Sequence, residues 1–191
     1  LNGVVNQGMI KSNNSNVSFV VGREFFNVAK NDTYNIATYV PHNLTYLNNN
    51  VEVLIEAGGN VQISYTNPST GTIGKNPNDT DDVTYAPIGI YNSSTMRSGT
   101  NISATGGEGN VSGSGSGNIW LTSSYNIENT ATGQMIAGRQ ITLNARDFLH
   151  NYGLIQGVTY LDIKSIMGYV YNHGTDNNGN ATSGYLPSLG K

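Results

Sequence analysis

The feature that most limits how this chain can fold is a self-similar pattern with a period of about 20 residues. The phrase Asn-x-Gly followed by aliphatic residues occurs at 6–10 and returns at 151–155, and its Asn-x-Gly part recurs at 172–174. Alternating aliphatic pairs recur at a similar spacing, as Ile119/Leu121, Ile141/Leu143 and Leu161/Ile163. Short alternating runs that are separated by Asn and Gly turns and repeat at this period are typical of a solenoid.

The composition favours strands and turns over helices. Asn, at 28 residues, outnumbers even the 24 Gly, whereas the helix-forming residues Glu, Lys, Leu and Ala are scarce. Asn and Gly tolerate the left-handed conformation of tight turns, and Val, Ile, Tyr and Thr favour strands. Since the 37% hydrophobic residues fall in clean alternation, full disorder is disfavoured. We therefore predict an all-β fold, a parallel β-helix.

In such a fold the side chains alternate inward and outward, and inward residues of successive coils stack on one another. The sequence predicts one column of Ile119, Ile141 and Leu161 and a neighbouring column of Leu121, Leu143 and Ile163. At the repeated corners, Asn side chains are expected to bond the backbone of the next turn while Gly completes the turn. These structural corner residues are Asn6, Gly8, Asn151, Gly153, Asn172 and Gly174.

The regularity of the pattern divides the chain into four segments. Residues 1–30 are predicted to form one or more coils, and residues 106–175 to form regular coils. Residues 31–105, which do not keep the period, are predicted to be an irregular β segment inserted between the coils, folded either as extra coils or as a separate lobe. The alternating runs on either side of 57–60 fit a hairpin or one corner of a coil. Residues 176–191 are an Asn/Gly-rich tail that is expected to fray.

The charge and cysteine content exclude several classes of protein. Only 11% of the residues are charged, the net charge is -3, and the nine Lys and Arg form no basic stripe, so we expect no nucleic-acid partner. No run approaches the roughly 18 apolar residues of a membrane-spanning helix. A chain without cysteine suits a bacterial surface or secreted protein. Because it starts at Leu1 without a signal peptide, we expect a piece of a longer polypeptide.

Within residues 133–157 the repeat elements follow one another in a fixed order. That order is Ile136-Ala137-Gly138, Ile141, Leu143, Ala145, Leu149, Asn151, Gly153 and Ile155. It resembles the repeat of filamentous haemagglutinin-type exoproteins, roughly Ile-x-Ala-Gly-x-x-Leu-x-Leu-x-Ala and then Leu-x-Asn-x-Gly-x-Ile. The match covers residues 119–174 well and residues 1–10 briefly. The resemblance implies a right-handed parallel β-helix.

The resemblance also implies a location and a class of partner. These very large proteins are exported across the Gram-negative outer membrane by a partner transporter, in two-partner secretion, and include adhesins and the sticks of contact-dependent growth inhibition. Some growth-inhibition proteins interrupt the repeat with a receptor-binding region, and residues 31–105 depart from the repeat in that manner. We therefore expect a secreted, cell-surface segment that recognises an outer-membrane or host cell-surface protein or glycan. A purely structural stalk is the alternative.

Exposed aromatic residues outside the repeat are the candidates for receptor contact, because tyrosine supplies a large rigid surface with a polar tip. The candidates are Tyr34, Tyr39, Tyr46, Tyr85 and Tyr91, together with the basic residue Arg97. The competing interpretation is that these tyrosines pack the middle segment.

Catalysis is the third interpretation, and the sequence disfavours it. A polysaccharide-degrading β-helix needs clustered carboxylates, but Glu128, Asp147 and Asp162 are the few acidic residues of the periodic half, and the two Asp do not occupy equivalent coil positions. His150 and His173 flank the repeated corner but are otherwise isolated. The acidic loop 78–82 lacks the spacing of an EF-hand. We predict no enzymatic activity, no metal site and no cofactor.

Overall fold

The fold is a stack of parallel strands. The computed structural model describes residues 4–21, 24–29, 52–65, 89–99, 103–105, 110–112, 117–123, 125–175 and 181–183. Across these ranges the regular structure is all strand, so they contain no helix that could cross a membrane. Strands that are distant in the sequence pair in parallel and in register in three sheets. The predicted all-β parallel β-helix is therefore confirmed.

The strands follow one another in coils, each of which gives one strand to each of the three sheets. Coil 1 consists of β1 (Val4–Asn6), β2 (Met9–Ser12) and β3 (Val17–Val21), and coil 2 of β4 (Phe25–Asn27), β5 (Leu54–Ala57) and β6 (Val61–Tyr65). Coil 3 consists of β7 (Ile90–Asn92), β8 (Thr95–Ser98) and β11 (Asn118–Ser123), and its β8 and β11 are separated in the sequence by the antiparallel pair β9 (Ser103–Thr105) and β10 (Asn110–Ser112).

The regular half contains coils 4 and 5 and the start of coil 6. Coil 4 consists of β12 (Ile127–Asn129), β13 (Gln134–Ala137) and β14 (Gln140–Ala145), and coil 5 of β15 (Leu149–Asn151), β16 (Leu154–Gly157) and β17 (Tyr160–Ser165). Coil 6 begins with β18 (Val170–Thr175), against which β19 (Ala181–Ser183) pairs antiparallel. The first sheet has the order β1-β4-β7-β12-β15-β18-β19, the second β2-β5-β8-β13-β16, and the third β3-β6-β11-β14-β17.

The hydrophobic core is made of inward columns that run along the stack. In the third sheet the register aligns Ile119 with Ile141 and Leu161, and Leu121 with Leu143 and Ile163, as the sequence predicts. The columns continue into the first two coils, through Val17, Val61, Phe19 and Ile63. Each fully buried aliphatic side chain contributes roughly 1.5–3 kcal/mol relative to an exposed one. The stacked columns therefore hold the coils together.

Part of residues 31–105 folds as extra coils, which is one of the two alternatives that the sequence left open. Four strands of this segment, β5 to β8, are members of coils 2 and 3 and pair in register with the strands of their neighbours. The period is hidden in the sequence because the connections that precede β5 and β7 are long. Similarly, β19 lies within the predicted tail and pairs with β18. Residues 30–51 and 66–88, including the acidic loop 78–82, lie outside the described part of the chain.

The turn after β5 is a corner of a coil and not a hairpin. β5 belongs to the second sheet and β6 to the third, and both pair in parallel with strands of coil 1. The amide of Gly58 donates to the carbonyl of Ser12 at 2.7 Å. A Cβ atom built on Gly58 would lie 2.0 Å from the backbone oxygen of Asn13 in the coil below. The corner therefore requires glycine because the neighbouring coil passes too close for a side chain.

We predict that Gly58→Ala destabilises the chain by about 1–3 kcal/mol, the usual cost of an overpacked site. The backbone of Asn13 would have to move to admit the methyl group, and that movement weakens the contact between coils 1 and 2. Urea unfolding followed by circular dichroism measures the loss. The matched control is Gly8→Ala, where no atom lies within 4 Å of the added Cβ. A loss of equal size in both variants would contradict the prediction.

A row of asparagines, buried from coil 1 to coil 5, follows the first sheet as far as Asn172 in coil 6. Each side-chain amide donates to the side-chain oxygen of the next asparagine, at distances of 2.7–2.9 Å. The members of this asparagine ladder are Asn6, Asn27, Asn92, Asn129, Asn151 and Asn172. A buried polar group is tolerated only when it is hydrogen-bonded, and the ladder satisfies each amide through its neighbour.

The ladder contains all three predicted corner asparagines and three that the sequence analysis missed, namely Asn27, Asn92 and Asn129. The ladder side chains bond mainly to one another. Asn27, Asn92 and Asn129 also donate to a backbone carbonyl of the next coil, as the Nδ2 atom of Asn129 does to the carbonyl of Leu154 at 3.2 Å.

The predicted corner glycines have different environments. Gly8 and Gly153 follow ladder residues, and their amides donate to the Oδ1 atoms of Asn6 and Asn151 at 3.2 and 3.3 Å. At Gly153 a Cβ atom would lie 2.2 Å from the carbonyl oxygen of Gly133. Gly174 does not complete a turn, because it lies within β18 and pairs with Thr182 of β19.

Candidate recognition surface

Most of the predicted receptor-binding residues lie outside the described part of the chain: Tyr34, Tyr39, Tyr46 and Tyr85. The other two, Tyr91 and Arg97, lie on outward positions of β7 and β8. Tyr91 is buried by its neighbours, and Arg97 is held in an ion pair.

The ring of Tyr91 is buried and serves packing. Its side chain is only 5% exposed, although its position points away from the core of the coils. The ring contacts Phe26 on the preceding coil, with centroids 6.0 Å apart, and joins a small buried cluster with Phe26 and Val28. A residue buried in this way contributes to stability through its apolar area. The structure therefore supports the packing interpretation for Tyr91.

Arg97 belongs to a ladder of alternating charges on the outer side of the second sheet. Lys11, Glu56 and Arg97 occupy the same position on three successive coils. The Glu56 carboxylate accepts from the Lys11 ammonium at 2.7 Å and from the Arg97 guanidinium at 3.1 Å. Since Glu56 is largely buried, this network fixes the guanidinium of Arg97 in place. Its role in the described structure is to hold coils together.

A different surface, on the outer side of the first sheet in coils 5 and 6, exposes aromatic side chains. We call it the aromatic patch, and it consists of Phe148, His150, Tyr152, Tyr169, Tyr171 and His173. The register pairs His150 with Tyr171, and it places three rings on each coil at alternate positions. The alternation arises because Leu149 points inward and Asn151 joins the asparagine ladder, which leaves the intervening side chains outside.

The rings of the patch contact one another across the two coils. Tyr152 and His173 stack with centroids 4.7 Å apart and planes 13° apart, and Phe148 stacks on Tyr169 at 6.4 Å and 22°. Tyr171 and His173 lie 5.6 Å apart with planes 15° apart. Aromatic pairs of this kind stabilise a structure by about 0.5–1.5 kcal/mol beyond their buried area. Other pairs are edge-on or tilted, as between His150 and Tyr171 at 70° and between Tyr169 and Tyr171 at 56°. The contacts therefore tie the six rings into one cluster with mixed orientations.

The six side chains of the patch include no carboxylate, ammonium or guanidinium group. Burial of the ring, and then the neighbouring His173 imidazole, lower the pKa of His150 below its ordinary value. The Nδ1 atom of His150 lies 3.3 Å from the Tyr152 hydroxyl. Tyrosine hydroxyls and neutral imidazoles can both donate and accept hydrogen bonds. The surface thus combines exposed apolar rings with hydroxyl and imidazole groups.

The acidic residues of the regular half lie on different sides of the stack. Glu128 lies on β12 in the first sheet, Asp162 on β17 in the third sheet, and Asp147 at the corner between the third and first sheets. The carboxylate of Asp162 pairs with Lys164 at 2.8 Å. Among the described residues, no group of three or more His, Asp and Glu side chains is placed to hold a metal ion.

The sequence analysis missed the aromatic patch, although a signal for it exists. The runs Phe148-x-His150-x-Tyr152 and Tyr169-x-Tyr171-x-His173 both place a ring at every second position, and they lie one repeat apart. In a parallel β-helix, residues one repeat apart lie side by side.

Comparisons of the chain with protein-family models, with curated proteins and with solved structures find no match. The function therefore has to be argued from the residues and the geometry of the coils.

Proposed function

We propose that this chain is a non-catalytic segment of a secreted bacterial surface exoprotein and that it recognises a molecule on the surface of a target cell. The observation that carries the proposal is the aromatic patch. Tyr169 is 65% and Tyr171 39% exposed, and both lie on one side of a rigid coil. Exposed Tyr side chains on a rigid support lose little entropy on binding and are common at the centres of interfaces.

Two further observations support the proposal that the parent protein is a secreted bacterial surface exoprotein. The order of repeat elements in residues 133–157 resembles filamentous haemagglutinin-type exoproteins, and the fold is a parallel β-helix, as that resemblance implies. Under this proposal the parent protein reaches the outer side of the outer membrane through a partner transporter. The target is an outer-membrane molecule of a neighbouring bacterium in contact-dependent growth inhibition, or a host cell-surface molecule in adhesion.

We expect Tyr171→Ala to weaken binding to target cells by at least about tenfold, the effect of removing a residue from the centre of an interface. Tyr171 contacts Phe148, His150 and His173, so its loss removes exposed area and the support of its neighbours. Flow cytometry with labelled protein on Gram-negative and host cells measures the change.

The control for this experiment is Trp120→Ala. Trp120 is 37% exposed, close to the 39% of Tyr171, but it lies on the outer side of the third sheet. Its variant should bind cells as the original chain does, and matching circular dichroism spectra should show that both variants are folded. If the two variants bind equally well, the aromatic patch is not the recognition surface.

A structural stalk is the second candidate function. It is favoured by the asparagine ladder and the inward columns, which run through successive coils without interruption. Such a regular stack resists bending and sets the distance between its ends. Absence of binding to every cell type tested, with the fold intact, would favour the stalk.

A further inference from the structure

We infer that the ligand of the aromatic patch is a neutral glycan, which stacks the C–H faces of its pyranose rings on Tyr169 and Tyr171. This inference rests on the proposed recognition function and adds the chemical class of the molecule that is recognised. It follows from three properties of the patch, which are the orientation of its rings, its polar groups and its lack of charge.

The ring geometry suits an oligosaccharide with more than one apolar face. Tyr169 is the most exposed ring of the patch, and its plane lies 56° from that of Tyr171, so the two tyrosines would each take a separate pyranose ring. Behind them the rings of coil 5 provide support, because Phe148 stacks on Tyr169 and Tyr152 stacks on His173. A pyranose ring has C–H groups on its faces and hydroxyl groups around its rim. Its face can therefore cover an aromatic ring while its rim remains in contact with water.

The polar groups of the patch suit the hydroxyl groups of a sugar. The Tyr hydroxyls can donate and accept, and the neutral imidazole of His150 has one donor and one acceptor nitrogen. Sugar hydroxyls also donate and accept, so they can pair with these groups in either sense. The patch therefore offers hydrogen bonds at the edges of its apolar rings, where the rim of a stacked sugar would lie.

The charge of the region argues against ionic ligands. The six side chains of the patch include no carboxylate, ammonium or guanidinium group, and the lowered pKa of His150 keeps this ring neutral at pH 7. Glu128 is the acidic residue nearest along the sheet, one coil before His150. Among the described residues, Arg146 and Asp147 lie at the corner next to Phe148, where the Arg146 Nε atom contacts the Met167 sulfur at 3.5 Å. A charged ligand would therefore find its counter-ions beside the rings and not among them. A neutral ligand fits best.

The first part of the test measures binding of the full chain to an array of neutral oligosaccharides built from glucose, galactose, mannose and N-acetylglucosamine, with sialylated and sulfated glycans on the same array. Tyr169→Ala and Tyr171→Ala should each weaken binding at least about tenfold. Tyr171→Phe, which keeps the ring, should lose less, and Trp120→Ala should bind as the original chain does. Binding confined to the sialylated or sulfated glycans would overturn the neutral assignment.

The second part uses cells that are treated beforehand either with periodate, under conditions that cleave the ring diols of neutral sugars, or with protease. If periodate abolishes the Tyr171-dependent binding, the result supports a glycan ligand, whether or not protease treatment also reduces the binding. Binding that survives periodate and is lost after protease assigns a protein receptor, which overturns the glycan inference but leaves the proposed recognition function standing. Cell binding that does not depend on Tyr171 overturns both.

Discussion

Asn129→Ala is expected to lower the free energy of unfolding by about 3 kcal/mol, because it interrupts the asparagine ladder at its centre. The Oδ1 atom of Asn129 accepts from Asn92 at 2.7 Å, and its Nδ2 atom donates to Asn151 at 2.8 Å. All three side chains are fully buried. Truncation leaves a donor of Asn92 and an acceptor of Asn151 without these partners, and each such loss costs about 1–3 kcal/mol. Urea unfolding measures the sum.

The control for the ladder is Asn144→Ala in the same coil. Asn144 lies on the outer side of β14 and is only half-buried, so its truncation should change the stability by less than about 0.5 kcal/mol. The slope of the urea transition should be the same in both variants, since a change in slope reports a change in the exposed surface and not in stability alone. If Asn129→Ala proves as mild as Asn144→Ala, the ladder does not stabilise the coils.

The sequence predicted the coils where the repeat is uninterrupted. It did not predict them where long connections separate the strands. In coils 4 to 6 the ladder residues Asn129, Asn151 and Asn172 are 22 and 21 residues apart, so the period is visible. Asn27 and Asn92 are 65 residues apart, and the repeat between them is hidden by long connections. Local alternation shows that residues 54–65 form strands, but pairing with coils 1 and 3 is a non-local property.

A shorter motif would have found the whole ladder. In all six coils the ladder residue is preceded, two positions earlier, by an apolar residue that points inward: Val4, Phe25, Ile90, Ile127, Leu149 and Val170. The motif apolar-x-Asn does not depend on the spacing between coils, because it describes one strand of the first sheet. Because side chains alternate along a strand, an Asn that lies two positions after an inward residue must itself point inward. Its buried amide then needs a hydrogen-bond partner, and the Asn on the next coil supplies one.

The candidate site was harder to predict than the fold, because exposure is decided by what covers the outer side of a sheet. Tyr91, His150 and Tyr171 occupy the same outward position of the first sheet, yet Tyr91 is 5% and Tyr171 39% exposed. The alternation of a strand shows in which direction a side chain points, but it does not show how far neighbouring residues bury that side chain. The sequence analysis therefore looked for exposed tyrosines outside the repeat, whereas the exposed rings of the described structure lie within it.

That geometry also changes how recognition can be tested. Deletion of residues 31–105 would remove β5 to β9 and would leave β2 and β3 of coil 1 without their partners. A loss of binding after such a deletion would report loss of the fold as well as loss of a contact. Point substitutions on the outer side of the first sheet avoid this problem, because outward side chains are not part of the inward columns.

Leu143→Ala is expected to destabilise the chain by about 2–5 kcal/mol, the usual cost of truncating a buried leucine. Leu143 is fully buried and lies in the third-sheet column between Leu121 on the coil before and Ile163 on the coil after. Its truncation removes contacts with both neighbours and leaves a cavity that the rigid strands on either side cannot fill. Urea unfolding, compared with the outward neighbour Thr142→Ala, measures the cost of the cavity.

The position of Leu143 also allows a test of how the stack transmits a defect. In a solenoid each coil contacts only its neighbours, so a cavity in coil 4 should lower amide-exchange protection most in coils 3 to 5. Ile163→Ala, at the partly buried end of the same column, should cost less, because it loses a partner on one side only among the described coils. Equal costs at Leu143 and Ile163, or equal loss of protection in coil 1 and coil 4, would show that the described coils unfold as one unit and not by nearest-neighbour contacts.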